Sequence, residues 1–450
     1  MTDADDVLHR VDANDVELIR LLFVNNSGVP RGRVVDAESL PGVLEEGTNV
    51  TRAMQSFNAL DALAPEGRYG PAGEVRVVPD PATYTELPYA DRAAVMLADL
   101  RELDGEPWAA GPRAQLREYL DGVGAEGYVP RLSFESEFYY TRETDDGGTE
   151  PFDDSACFAS DGMRSAHDLV LDSVDALKAQ GMGLSAYYPE YGPGQQELVV
   201  DHDDGVAASD AQILFKETIN AVAEAHGVGA SFRPTPFDGL PGNGCHVHLS
   251  LWRDGDNVLY DPDADGRYPL SDAGRSFVGG LLDHAPALVA LTAPTVESYD
   301  RLAPGMWASA YTCWGHDNRE AMVRIPSVDA GDPEATTRVE FKPADNTANP
   351  YLAQLGLVAA GLDGIDRELD PGEPLNRDPT GVDDDDLRAR GIERLPESLP
   401  EALDALEADD ALASALGEPL HGSFVEVKRS EWAQSTEDGE PETDYLARSF

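Results

Sequence analysis

The stretch Gly242-Asn-Gly-Cys-His-Val-His-Leu-Ser-Leu-Trp252 holds the densest group of potential ligands in this 450-residue chain. Its alternation of polar and apolar residues predicts a β-strand, in which every second side chain lies on the same face. His246, His248 and Ser250 therefore share one face, while the apolar residues between them face a core. Two imidazoles and a hydroxyl behind a Gly-x-Gly turn indicate a metal or phosphate site. Two ordinary histidines on a half-exposed strand are the alternative, because His-x-His alone is a weak ligand motif.

The chain is strongly acidic, with 85 aspartate and glutamate residues, 33 arginine and lysine residues and a formal net charge of -52. Such a surface repels nucleic acid and anionic lipid, so neither is expected as a partner. A hydrophobic content of 41% argues against a disordered acidic protein. Acidic residues spread along the whole chain, with only four lysines, favour a high-salt cytoplasm in which screening removes most of the self-repulsion. A halophilic source is therefore expected.

The three cysteines, Cys157, Cys245 and Cys313, are odd in number and far apart, which argues against a disulfide framework. The N-terminal residues lack the apolar segment of a signal peptide. No run approaches the roughly eighteen apolar residues that predict a membrane span. We therefore expect a soluble, cytoplasmic protein.

The order of the predicted elements divides the chain into two domains, at 1–106 and 107–450. Residues 18–24 predict a strand, and the turn Asn25-Asn-Ser-Gly28 leads into a second strand, so this segment predicts a β-hairpin. The first domain is predicted to be small and mostly β. Its further short strands are predicted at 74–78 and 95–98.

Strands and helices alternate in the second part, which predicts an α/β domain and an α+β fold class for the whole chain. The predicted helices begin at Pro112 and continue at 167–180, at 209–227 with Ser209 as the N-cap, and at 273–291, 351–365 and 400–416. The run Asp383-Asp-Asp-Asp386 is interpreted as a solvated loop in preference to a calcium site.

Acidic residues on neighbouring predicted strands form a second group of potential ligands. Glu135 and Glu137 share one strand face, and two carboxylates beside a core need a cation or a raised pKa. An exposed acidic strand is the alternative interpretation. Glu190 and Glu197 lie on either side of a glycine-rich turn and add two more carboxylates.

Arg338, Glu340 and Lys342 share another strand face, where a surface salt-bridge ladder is the alternative. Five carboxylates and one imidazole suit hard divalent ions such as magnesium or manganese. Guanidinium groups match carboxylate and phosphate geometry, so arginines beside such ions indicate phosphoryl transfer by electrostatic clamping. The candidate arginines are Arg301, Arg319, Arg324 and Arg338.

The joint order of these motifs resembles the glutamine synthetase family, in its type I-like form, over nearly the whole chain. The N-terminal landmarks are Asn26-Ser-Gly-Val-Pro-Arg-Gly32 and Val78-Pro-Asp-Pro81. The later landmarks are Glu135-Ser-Glu-Phe138, Gly192-Pro-Gly-Gln195, Gly242 to Ser250, Ser298-Tyr-Asp-Arg-Leu302, Asn318-Arg319, Arg338-Val-Glu340 and Asn349-Pro-Tyr-Leu352. The resemblance implies a β-grasp-like N-terminal domain on a larger α/β catalytic domain. It also implies a homo-oligomer, commonly a dodecamer of two stacked hexamers, with active sites between subunits.

The resemblance also implies roles for single residues. One metal ion, Mg²⁺ or Mn²⁺, is expected at Glu137, Glu190 and Glu197, and a second at Glu135, His246 and Glu340. The expected ATP-binding residues are His248, Ser250, Arg324 and Arg338. Glutamate is expected to contact Gly242 and Arg301, together with Lys342, which replaces an arginine. Arg319 matches the residue that stabilises the phosphorylated intermediate.

Trp307 departs from the family pattern. It follows Arg301-Leu-Ala-Pro-Gly-Met, where classical glutamine synthetases have a glutamate that takes a proton from ammonium. An indole cannot accept that proton, but it packs on alkyl groups and attracts cations to its face. We therefore expect an ATP-dependent ligase of nitrogen metabolism that joins glutamate to an organic amine, such as a polyamine or ethanolamine. A glutamine synthetase with a substituted base and a catalytically silent regulatory paralogue are the alternatives.

Overall fold

The computed structural model describes residues 2–264, 267–436 and 443–450. The N-terminal strands are β1 (Leu18–Val24), β2 (Pro30–Asp36), β3 (Thr48–Thr51), β4 (Glu74–Pro79), β5 (Thr85–Glu86) and β6 (Ala93–Arg101). They form one six-stranded sheet in the order β2-β1-β6-β4-β3, with β5 paired to β6. The antiparallel pairing of β1 with β2 confirms the predicted hairpin. Two helices, α1 (Ala4–Ala13) and α2 (Leu40–Glu46), accompany this sheet.

A second sheet of eleven strands forms the larger part of the molecule. Its strands are β7 (Tyr128–Glu143), β8 (Thr149–Pro151), β9 (Leu184–Pro189), β10 (Gln195–Val200), β11 (Asp203–Asp204), β12 (Gly229–Ser231), β13 (Cys245–Arg253), β14 (Asp256–Asn257), β15 (Trp314–His316), β16 (Val323–Ile325) and β17 (Val339–Phe341). The main order is β15-β16-β17-β13-β7-β10-β9. Val247, Leu249 and Leu251 of β13 are buried in the core, as the alternation predicts.

Helices cover this sheet and extend to the C-terminal region. They are α3 (Pro112–Ala125), α4 (Ser160–Ser165), α5 (His167–Ala179), α6 (Ala207–Ala225), α7 (Asp272–Asp283), α8 (Ala285–Thr292), α9 (Val296–Arg301), α10 (Pro333–Thr336), α11 (Pro350–Asp366), α12 (Asp384–Ala389), α13 (Leu399–Ala408), α14 (Asp410–Leu416) and α15 (Glu418–Ser435). Among the residues described, no helix has both the length and the apolarity needed to cross a membrane.

Two predicted long helices are each interrupted. The segment 273–291 divides at His284 into α7 and α8, because Pro286 lacks the N–H group that would continue the ladder of hydrogen bonds. The segment 400–416 divides at Asp409, whose side chain accepts from the Leu412 N–H and caps α14. The prediction of one helix in each segment is therefore wrong.

Two local predictions at helix N-termini are also wrong. Ser209 lies inside α6, which begins at Ala207, and its hydroxyl donates to the Pro350 carbonyl of a neighbouring helix instead of capping its own. The aspartates 384–386 form the first turn of α12, not a loop. Negative side chains in a first helical turn interact favourably with the helix dipole, which explains this outcome.

The hairpin turn of the N-terminal sheet fits tightly against the larger part of the molecule. Gly28 has a φ of +85°, and a Cβ there would lie 2.4 Å from the Thr347 carbonyl oxygen. The Asn349 amide donates to the Asn25 carbonyl oxygen at 3.1 Å, and the buried Lys428 ammonium donates to that of Ser27 at 3.3 Å. Glycine is therefore required where the turn approaches α11.

Candidate active site

The register of five neighbouring strands brings the predicted ligands together. Residues directly opposite one another on antiparallel strands have Cβ atoms roughly 4.5–5.5 Å apart, so their side chains meet. The opposed pairs, in order across β10, β7, β13, β17 and β16, are Glu197 with Glu137, Glu135 with His246, His248 with Glu340, and Glu340 with Arg324. The predicted strand faces are therefore confirmed, and they form one continuous polar strip across the sheet.

Glu135, His246 and Glu340 form what we call the imidazole cluster. One potential ligand atom from each lies within 4.8 Å of the others. His246 Nδ1 lies 3.6 Å from Glu135 Oε2 and 3.5 Å from Glu340 Oε1. These separations are too long for good hydrogen bonds, so the two carboxylates converge on one ring nitrogen without bonding to it.

Basic side chains surround the imidazole cluster. Burial alone would raise the pKa of Glu340, but Lys342, the two histidines of β13 and Arg324 outweigh burial and lower it to about 2. Burial likewise opposes ionisation of Glu135, yet the same two histidines hold its pKa well below the ordinary value. Both carboxylates are therefore ionised and available as oxygen ligands.

Glu137, Glu190 and Glu197 form what we call the carboxylate cluster, and their potential ligand atoms also lie within 4.8 Å of one another. Burial and the neighbouring Glu137 raise the pKa of Glu190 to about 7. Burial, Glu135 and Glu137 raise the pKa of Glu197 well above its ordinary value, although the Tyr188 hydroxyl donates to it. Mutual repulsion of this kind is relieved by a cation.

The donor sets of both clusters fit hard divalent ions. Three carboxylates in one cluster, and two carboxylates with an imidazole in the other, are typical ligands for Mg²⁺ or Mn²⁺. The raised carboxyl pKa values identify the carboxylate cluster as the place where positive charge is most needed.

The predicted ATP-binding residues adjoin the imidazole cluster. Arg324 Nη1 lies 2.7 Å from Glu340 Oε2, and Arg338 Nε donates to His248 Nδ1 at 3.0 Å. His248 Nε2 lies 3.2 Å from Glu135 Oε2. Ser250 lines the same cleft as His248 and Arg338, and its hydroxyl accepts from the Trp252 indole at 2.9 Å.

Gly242 and Arg301 lie directly against each other. A Cβ at Gly242 would lie 2.5 Å from the Pro234 carbonyl oxygen and 2.8 Å from Arg301 Cγ, so only glycine fits beside this arginine. The Arg301 side chain is buried, and its Nη2 donates to the Ala344 carbonyl at 2.7 Å. Burial lowers the pKa of Arg301, and the charges of Asp345 and Glu137 partly offset that effect by favouring the protonated guanidinium group.

The remaining predicted residues lie around these groups. Lys342 Nζ lies 3.2 Å from His246 Nε2 and 3.6 Å from Glu340 Oε1, so it contacts the imidazole cluster directly. Arg319 is exposed, and its charge partly offsets the rise in the pKa of Glu190 that burial and Glu137 cause. Trp307 is 60% exposed in the loop after α9.

Three residues that contact these groups lie outside the sequence-based assignments. Tyr188 donates to Glu197, and Gln195 Nε2 donates to the Gly242 carbonyl at 3.0 Å. Both lie in the glycine-rich segment that supplies Glu190. Their closeness to Glu190 in the sequence could therefore have indicated that they belong near the carboxylate cluster. Glu320 accepts from the Trp307 N–H at 2.9 Å. It directly follows Asn318-Arg319, but the sequence does not distinguish it from the other residues among the 85 acids of the chain.

Comparison with known proteins identifies the family of this chain. Residues 3–108 match the glutamine synthetase N-terminal domain, and residues 109–443 match the glutamine synthetase catalytic domain. Glutamine synthetase of Halobacterium salinarum is 34% identical over 99% of this chain and 96% of its own length. Glutamine synthetase of Pyrococcus abyssi is 34% identical over 92% of this chain and 90% of its own.

Solved structures of similar proteins also match this chain over nearly its whole length. A crystal structure described as a novel glutamine synthase homolog has a TM-score of 0.83 and 34% identity, covering 93% of this chain and 95% of its own. A GmaS/ADP complex has a TM-score of 0.84 and 31% identity, covering 100% and 99%. The chain belongs to the glutamine synthetase family and is an ATP-dependent carbon–nitrogen ligase of that family.

Proposed function

We propose that the protein joins the γ-carboxyl group of glutamate to an organic amine through γ-glutamyl phosphate. Divalent ions, when bound, neutralise charge on the phosphates of ATP. The carboxylate cluster would hold the ion on the glutamate side, and the imidazole cluster would hold the ion on the nucleotide side. The close approach of potential ligand atoms within each cluster supports this assignment.

The positively charged groups act on the transferred phosphoryl group and on glutamate. Arg324 and Arg338 lie beside the imidazole cluster, where they would bind phosphate oxygens together with His248 and Ser250. Arg301, packed against Gly242, would bind the glutamate carboxylate, and the exposed Arg319 would stabilise charge on the phosphorylated intermediate. Phosphoryl transfer requires mainly positioning and electrostatic stabilisation, which these groups supply.

The single observation that carries the choice of amine is the exposed indole of Trp307. It stands where a carboxylate would attract ammonium and remove its proton, and an indole does neither. An exposed aromatic surface at the position that the family resemblance assigns to the amine favours an acceptor with carbon substituents, because such substituents gain apolar contact and a charged amine gains cation–π attraction. The structural likeness to GmaS with ADP is compatible with this proposal.

Glutamine synthetase proper is the second candidate, because the curated relatives that match over almost the whole chain carry that name. A silent regulatory paralogue is disfavoured by the intact geometry of all six proposed ligands. We also propose that the protein is cytoplasmic and assembles as a dodecamer of two stacked hexamers. Light scattering in molar salt tests that assembly.

The first experiment measures glutamate-dependent phosphate release in molar salt with ATP and Mg²⁺. Ammonium is compared with putrescine, spermidine, ethanolamine, methylamine and an aromatic amine. We expect an organic amine to give the highest kcat/KM, and Trp307→Glu to shift the preference toward ammonium by about tenfold or more, or about 1.4 kcal/mol. Trp307→Phe, which keeps an aromatic face, is the matched control.

The possible outcomes of this experiment distinguish the three candidate functions. Preference for ammonium in the unmodified protein would identify a glutamine synthetase. Silence with every amine would favour the regulatory paralogue.

A further inference from the structure

The loop that carries Trp307 has an unusual backbone. Gly305, Trp307 and Ser309 have φ values of +76°, +59° and +69°. A residue other than glycine in this region costs about 1–3 kcal/mol and persists only when its surroundings hold it there. The side chain of Trp307 is mostly exposed, so packing of the indole does not supply that restraint. Something must hold the backbone of this loop.

Glu320 contacts the strained backbone directly. Its Oε1 accepts from the Trp307 N–H at 2.9 Å. Burial raises the pKa of Glu320, while the N–H groups of Trp307 and Gly305 stabilise the ionised form. In the described part of the chain no arginine or lysine forms an ion pair with this carboxylate, although the charge of Lys342 lowers its pKa from farther away, and its hydrogen bond is directed at the loop. A charged acceptor gives a stronger hydrogen bond than a neutral one.

The segment that carries Glu320 is itself firmly anchored. The Glu320 N–H donates to Asn318 Oδ1 at 3.1 Å, and Asn318 Nδ2 donates to the carbonyls of Leu375 and Arg377 at 2.6 and 3.0 Å. The Ser309 hydroxyl donates to the Ala321 carbonyl at 2.8 Å. The loop is thus attached at Trp307 and at Ser309 to one platform, residues 318–321.

We propose that Glu320 is a positioning residue that fixes Trp307 at the amine entrance. The inference rests on the proposed function, because it assigns the selectivity of that site to a backbone contact. Arg319 lies on the same platform and influences Glu190, so the platform links the indole to the carboxylate cluster. Glu320 does not touch the reacting atoms. It determines the position of the Trp307 indole when an amine binds.

The test compares Glu320→Ala, which removes the acceptor, with Glu320→Gln, which keeps an acceptor oxygen. We expect Glu320→Ala to raise the KM for the preferred amine about tenfold while kcat and the KM values for glutamate and ATP stay within about threefold. Glu320→Gln should restore most of the amine affinity. Glu373→Ala, at an exposed glutamate on another loop, is the matched control.

A second readout is independent of catalysis. Acrylamide quenching of Trp307 is obtained as the difference between each protein and its Trp307→Phe counterpart. We expect quenching to change in Glu320→Ala and to remain near the original value in Glu320→Gln. If Glu320→Ala does not fold, Glu320→Asp, which shortens the side chain, should show a smaller change in the same direction.

Two results would overturn the inference. One is an unchanged amine KM with unchanged quenching in Glu320→Ala, or in Glu320→Asp where that variant replaces it. The other is an equal rise in the KM values of all three substrates, which would indicate general damage. If the unmodified protein releases no phosphate with any amine, the proposed function fails, while the quenching measurement still decides whether Glu320 positions Trp307.

Discussion

His246 and His284 each lie between two carboxylates, yet the two arrangements differ in how the acids approach the ring. At His246 both acids converge on Nδ1, at 3.6 Å from Glu135 and 3.5 Å from Glu340. At His284 each ring nitrogen has its own partner, with Nδ1 2.6 Å from Asp409 and Nε2 2.9 Å from Asp363. Composition alone does not distinguish the two groups, but distance and direction do.

The difference separates the proposed ion site from a structural bond. Neither carboxylate is within good hydrogen-bond distance of His246 Nδ1, so a cation between the three groups would satisfy them, as the proposed function requires. At His284 the direct hydrogen bonds fill that space. They connect the α7–α8 junction to α11 and to the α13–α14 junction.

The largest expected effect comes from breaking the imidazole cluster. Glu340→Gln keeps the shape of the side chain but removes the charge that an ion requires. We expect glutamate-dependent phosphate release to fall by about a thousandfold or more, since it loses electrostatic stabilisation of several kcal/mol. Circular dichroism should show an unchanged fold. More than a tenth of the original activity in the variant would contradict the assignment of this cluster.

A smaller effect is expected from metal binding in the absence of substrates. An ion that binds only the folded state stabilises it by about 2.7 kcal/mol at a hundred times its Kd. Mn²⁺ should therefore raise the Tm of the unmodified protein and of His284→Asn, and raise it less in Glu340→Gln. Ca²⁺-free buffer with a chelator provides the baseline. An equal shift in Glu340→Gln would place the bound ion elsewhere.

The smallest effect is expected at His284, where the loss is structural. Burial lowers the pKa of His284, but Asp409 and Asp363 outweigh burial and raise it above its ordinary value, so the folded state favours the protonated ring. Arg367, 2.7 Å from Asp363, also faces this group. We expect His284→Asn to reduce the free energy of unfolding by about 2 kcal/mol, with kcat of the folded enzyme retained.

The pH dependence of that loss has a definite sign. The charged form of His284 is bound more tightly in the folded state, so its stabilising contribution is complete below the unfolded pKa of about 6.5 and is lost as pH rises through the raised folded pKa. The difference between the unmodified protein and His284→Asn in urea unfolding should therefore shrink from mildly acidic to alkaline pH. A difference that grows with pH would contradict this description.

The site residues that lie on strands could be predicted from the sequence, because the alternation that places them on one face is local. A period of two places His246 and His248 on one face, and the same rule applies to Glu135 and Glu137. The His284 group offers no such pattern, since its partners lie 79 and 125 positions away. Which strands become neighbours is likewise a property of the whole fold. The family resemblance supplied that information.

The site residue on the loop, Trp307, could be identified from the sequence, but its backbone conformation could not. The position of Trp307 follows from the motif that begins at Arg301, while its positive φ and its contact with Glu320 depend on the anchored segment 318–321. The helix boundaries at Ser209 and Asp409 were missed for a related reason. Both polar side chains have local capping propensity, and tertiary contacts decide which of them is used as a cap.

The central pairing of β7 with β13 has a consequence for how the molecule acquires its activity. His248 meets Glu135 across 113 positions of sequence, and Lys342 meets His246 across 96. Contacts between such distant segments form late and slowly during folding, because loop closure must precede them. A metal ion would therefore find no assembled site at the proposed clusters early in folding. By binding only the folded state, it would prolong the lifetime of the finished enzyme, because it would slow the separation of these strands.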